Sequence, residues 1–285
     1  MRDSFHKLFL LFMSFLSLTG WGDRLASLPG GLLFPVFSSA GLVNSAALVM
    51  DWRTEARVLY SPATNPDTPQ SYLSSLGHSN GRLGFNIGYQ GSYQENIALS
   101  GGFLAGAFRV SRLALGFSAR NTDLKDASLW KTDLSAIYAL THKIRLGASL
   151  FGLDENQQLG FGLGFGTPQK QTFEIDFLAP VNPQGRGLTD QYSASVALTS
   201  FFEKVGFSGG LRFDKQQDGF SNPDRLSGFL GSTVSVSRSL NITTLYQTNP
   251  ASFTFGLTWV WAPPARNQIQ YFKEQNRKVI WNRGR

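Results

Sequence analysis

Glu174 and Asp176 stand two residues apart in TFEIDFLA, with Phe173, Ile175 and Phe177 in the alternating positions. Period-two alternation places both carboxylates on one face of an extended strand and the apolar residues on the other. Two carboxylates on one face can hold a cation or sort passing ions, but two alone do not specify a metal site. Arg120, Lys131, Asp133, Arg145, Arg212 and Asp214 occupy equivalent polar positions in other alternating stretches. Two readings fit these charges. One is a constriction that sorts ions. The other is mutually paired charges bracing a polar wall, and we favour it because a polar interior is normal in the architecture argued below. The histidines offer little for catalysis. His6 lies near the N-terminus, His78 ahead of the main run of strands, and His142 in a short turn. There is no H-E-x-x-H and no phosphate loop. The expectation is no enzyme, no cofactor and no metal.

The elements that position these residues repeat along the chain. LGFNIGY, RLALGFSAR, IRLGASL and QLGFGLGFG all alternate large apolar residues with small or polar ones. Twelve strands are predicted, at 82–91, 96–109, 112–121, 129–141, 144–153, 158–166, 171–179, 190–200, 205–214, 226–237, 240–248 and 252–262. Most have about the length that a tilted strand needs to cross a bilayer. Short turns alternate with longer connections, as in transmembrane barrels. Only 16% of residues are charged, 24 of the 285 are Phe, and Cys is absent. Lipid satisfies no backbone hydrogen bond, so a spanning sheet must close on itself. The predicted fold is an all-β antiparallel transmembrane barrel over residues 82–262, embedded in outer-membrane lipid. With short turns assigned to the periplasm, both termini are periplasmic.

Residues 1–22 read as a signal peptide: Arg2 and Lys7, then the apolar LFLLFMSFLSL, then small residues at Gly20 and Gly22. Residues 23–81 read as a plug. SSAGLVNSAALVMDW suggests a short helix, and Thr68-Pro69 through Gly77 carry a helix start and stop. EARVLY suggests a strand. Repeated glycine on inward strand faces, as at Gly116, Gly160 and Gly162, implies another backbone approaching the wall. Twelve strands enclose a lumen about 24 Å across, backbone to backbone, which such a segment can fill.

TFGLTWVW closes the strand series. Thr254, Gly256, Trp259 and Trp261 resemble the C-terminal insertion signal of outer-membrane barrels, which the barrel-assembly machinery reads; here the motif is internal. Asn44, Ala46, Ala47 and Leu48, with the following strand to Tyr60-Ser61-Pro62, resemble a stretch near the start of the fatty-acid-channel (FadL-type) family of the outer membrane. That resemblance implies fourteen strands, with 52–61 among them, and an N-terminal hatch inside the barrel. It also implies passage of hydrophobic molecules by rearrangement of the hatch. The expected function is passive passage of small or hydrophobic molecules. The alternative is a sealed barrel that recruits a periplasmic partner.

Pro263-Pro264 end the last strand. The tail, 263–285, carries Arg266, Lys273, Arg277, Lys278, Arg283 and Arg285 against Glu274, which is most of the chain's net +7. A basic segment bearing aromatic residues suits a membrane surface or an acidic periplasmic partner. The remaining charge is spread rather than gathered on one face, so nucleic acid is not an expected partner.

Overall fold

The computed structural model describes residues 32–33, 40–63, 70–94, 97–124, 127–153, 157–167, 171–181, 192–202, 204–215, 225–237, 239–248 and 251–261. The signal peptide and the basic tail assigned from the sequence lie outside these residues. A helical turn α1 (Ala40–Val43) and a 3-10 helix η1 (Ser45–Val49) precede the strands. The strands are β1 (Trp52–Ser61), β2 (Gln70–Asn80), β3 (Leu83–Gln94), β4 (Ile97–Val110), β5 (Leu113–Leu124), β6 (Ala127–Ala139) and β7 (Ile144–Phe151). They continue as β8 (Gln158–Thr167), β9 (Gln171–Pro180), β10 (Tyr192–Phe202), β11 (Val205–Lys215), β12 (Arg225–Ser235), β13 (Leu240–Gln247) and β14 (Ser252–Trp261). Each pairs antiparallel with its sequence neighbour, and β1 pairs with β14, so the sheet is a closed barrel.

The strand count is therefore fourteen, the alternative raised from the sequence, rather than twelve, and the barrel begins at Trp52 rather than residue 82. Residues 70–80 are the second correction. The Thr-Pro start and Gly77 stop suggest a helix, but the segment is strand β2, hydrogen-bonded on both edges. Barrel closure decides this, because an edge left open in lipid would strand a row of backbone groups. The two added strands widen the backbone diameter to about 28 Å. The helix suggested over 38–52 is two short pieces instead, α1 and η1, joined at Asn44.

Outward faces carry the large apolar residues. Leu76, Ile87, Leu104, Phe117, Leu134, Ile175, Leu211, Leu230 and Leu257 are all exposed along the middle of the wall. Aromatic residues gather at both rims. Tyr72 stacks on Tyr89, and Tyr246 lies 4.7 Å from Phe253, at the end bearing the longer connections. Phe165 with Phe173 and Phe202 with Phe207 line the short-turn end, where Trp259 and Trp261 are also exposed. An apolar band between two aromatic girdles is the surface a bilayer requires. A strand of ten residues, tilted about 40°, rises about 25 Å, which matches that band. Among the described residues no helix is long and apolar enough to cross a membrane.

Candidate functional site: the lumen and its plug

The lumen is positioned by alternation. Along β1 the residues Arg53, Glu55, Arg57, Leu59 and Ser61 face inward while Val58 and Tyr60 face out. The same rule turns Arg120, Lys131, Asp133, Arg145, Glu174, Asp176, Arg212 and Asp214 inward, on strands β5, β6, β7, β9 and β11. The insertion-signal residues divide between the faces. Thr254 and Gly256 point inward and Trp259 and Trp261 outward.

Segment 40–50 lies inside the barrel, packed on the wall from β2 to β6. Asn44 shapes it: its Oδ1 accepts the Ala46 amide at 3.1 Å and so caps η1. Ala46, Ala47 and Leu48 are buried behind it. The Ala46 amide also donates to Ser135 Oγ on β6 at 3.0 Å, and Ser45 Oγ lies 2.9 Å from the same oxygen. A methyl group at Gly116 would overlap the Ala46 nitrogen and come within 2.6 Å of the Ser45 carbonyl carbon. A glycine there lets plug backbone lie directly on the wall.

The second anchor is at residues 32–33. The Leu33 amide donates to Glu174 Oε1 and the Leu32 amide to Asp176 Oδ2, the latter at 3.2 Å. The Leu33 side chain fills the space over Gly147 and Gly162, which pair across β7 and β8. The carboxylate pair singled out in the sequence therefore grips the backbone of a segment about 140 residues earlier. Among the described residues no cluster of three metal-ligating side chains occurs.

The other inward charges brace the wall. Arg120 Nη2 meets Asp133 Oδ2 at 3.4 Å; Asp133 also accepts from Ser118 at 3.3 Å and from the Gly152 amide at 2.8 Å. Arg212 meets Asp214 through Nη2 at 2.6 Å and Nε at 2.7 Å, with Ser193 on the same carboxylate. Lys131 and Arg145 also have interaction partners. An apolar cluster lies among these charges: Leu59, Leu73, Phe103, Phe151 and Leu178 of the wall pack with Leu32, Leu42 and Val43 of the plug, and Phe103 is in register with Arg120.

Sequence reasoning missed Arg53, Glu55, Arg57 and Ser75, because it assigned 23–81 to the plug. The signal that finds the first three is the alternation of RTEARVLY, with the charges on one face and Val58 and Tyr60 on the other. His78 is not ahead of the barrel. It lies in β2, faces outward near the short-turn end, and contacts Thr54 Oγ1 at 2.8 Å. Its ring packs against Phe85. A hydroxyl–imidazole pair needs a third group to orient the ring as a base, and Phe85 does not supply one.

No family model and no curated protein matches the chain, so the fatty-acid-channel resemblance is not shown. A solved bacterial polysaccharide outer membrane secretin is similar over 74% of this chain and 99% of that one, at 9% identity and a TM-score of 0.51. A triple mutant of the Rhodopseudomonas blastica porin is similar over 73% and 98%, at 8% identity and a TM-score of 0.43. At 9% identity the likeness to the secretin bears on the fold alone, and the fold is an antiparallel transmembrane β-barrel.

Proposed function

We propose that this protein is an outer-membrane channel for passive passage of small or hydrophobic molecules, with the segment around 32–50 as its gate. The observation that carries the reading is the manner of seating. The segment is held inside a closed barrel by a few hydrogen bonds and apolar contacts, with no covalent tie besides its continuation into β1. A filler held this way can leave without breaking the wall. The apolar cluster shared by plug and wall suits hydrophobic molecules, as does the fatty-acid-channel resemblance. In this reading residues 1–22 direct export, both termini are periplasmic, and the barrel-assembly machinery reads β14.

Planar-bilayer recording tests the gate. Deleting residues 32–50 leaves every strand in place and is expected to raise conductance. Unchanged conductance from a barrel that still inserts refutes the gate. The close packing of the plug on its wall favours a second reading, a sealed barrel that recruits a periplasmic partner through the basic tail 263–285. Silence with and without residues 32–50 supports it.

A further inference from the structure

Arg57 is an inward charge whose hydrogen-bonding fork is only partly engaged. It is 2% exposed, and its Nε and Nη1 have no hydrogen-bond partner. Glu55, two residues earlier on the same face, is a counter-charge that Arg57 shares with Arg53, which Glu55 meets at 3.3 Å. The neighbours across both strand edges are hydroxyl residues. Arg57 is in register with Ser75 of β2 on one side and Thr258 of β14 on the other. Both are buried on inward faces, and Ser75 Oγ also lacks a partner. Cross-strand neighbours on one face have Cβ atoms about 5 Å apart, so the three side chains form one row of donors. One inward position toward the loop end, Leu59 pairs with Leu73 beneath Leu42 and Val43 of the plug.

A buried guanidinium whose Nε and Nη1 lack acceptors is retained where a ligand supplies them. Its planar fork matches two oxygens of a carboxylate or phosphate group, and flanking hydroxyls supply further donors. We propose that Arg57, with Ser75 and Thr258, forms a binding site in the lumen for a single oxyanion, at the seam between plug and wall. The oxyanion arrives free or as the head group of an amphiphile whose chain occupies the apolar cluster of Leu59, Leu73 and Phe103. The site deepens the channel reading by giving the lumen a ligand, but binding is measured without reference to conductance.

The test uses the full-length barrel refolded in a non-ionic detergent. Inorganic phosphate or octyl phosphate is titrated at constant ionic strength, with chloride as the balancing anion and octyl glucoside as the chain control. The readout is the temperature at which the heat-modified electrophoretic shift is lost, since a ligand that binds the folded state raises it. A saturable rise with inorganic phosphate assigns the site to free oxyanions. A rise with octyl phosphate alone assigns it to an amphiphile head group. No rise with either, in the unmutated protein, overturns the proposal. Arg57→Gln is expected to weaken the response at least tenfold, and Arg57→Lys to keep part of it, whereas Lys131→Gln should leave it intact. Equal responses in Arg57→Gln and the parent protein also overturn it. Binding without channel openings would sink the channel reading and leave the site standing; openings without binding would do the reverse.

Discussion

Replacing Gly116 with alanine should unseat the plug while the wall stays closed. The added methyl meets the Ala46 nitrogen and the Ser45 carbonyl carbon, which are backbone atoms and cannot rotate away. Moving them breaks the Ala46 amide bond to Ser135 Oγ and the Ser45–Ser135 contact. Two such hydrogen bonds contribute about 2 kcal/mol together, and an overpacked site costs about 1–3 kcal/mol more. A bias of about 3–5 kcal/mol against the seated state multiplies the unseated population at least a hundredfold. Single-channel open probability reports the change in planar bilayers, and protease nicking near residue 46 reports it independently. Heat-modifiable mobility verifies that the barrel is closed. Gly102→Ala is the control: it faces outward, and its nearest neighbour would be the Gly88 carbonyl oxygen at 3.7 Å. Gly116→Ala with unchanged conductance and unchanged nicking would show that the plug does not bear on the wall as argued.

Glu174→Gln with Asp176→Asn weakens both acceptors of the Leu32 and Leu33 amides; hydrogen bonds to charged groups contribute about 1.5–3 kcal/mol each, so nicking near residue 33 should rise sharply while the barrel stays heat-modifiable. Asp133→Asn strands the Arg120 guanidinium and weakens the tie to the Gly152 amide; a loss of about 3–5 kcal/mol is expected for breaking a buried pair, read as a lower urea midpoint in detergent. Leu257→Lys places a charge at mid-height on the outward face and should cost about 2–4 kcal/mol in lipid vesicles, whereas Thr258→Lys, one residue later and inward, should escape that lipid cost.

Most of the wall was legible because alternation and turns say enough by themselves. Phe161, Leu163 and Phe165 against Gly160, Gly162 and Gly164 admit one assignment of faces. β1 and β2 were harder. The inward face of β1 carries Arg53, Glu55 and Arg57, and the outward face of β2 carries Ser74 and His78, so neither has a plain greasy side. Thr68-Pro69 and Gly77 imitate helix punctuation, and only closure of the sheet overrides it. Alternation fixes which way a charge points but not what it meets. The partners of Glu174 and Asp176 lie at residues 33 and 32, and no local pattern links them. The open donors of Arg57 become visible only when Glu55 is seen shared with Arg53.

Pairing of β1 with β14 also sets an order of events. Thr54 meets Trp261 and Tyr60 meets Phe255, so the zipper that completes the cylinder joins the first strand to the last. Its loop-closure entropy is the largest of any pairing in the sheet, so it should form late. The segment that ends at Met50 enters β1 almost at once, beside that zipper. It must therefore be drawn into the interior before the last edge is sealed, or be threaded afterwards through the mouth of a finished cylinder. A nascent chain lacking β14 retains two unpaired edges facing hydrocarbon, so premature termination yields a species prone to pair with its own copies rather than a smaller barrel.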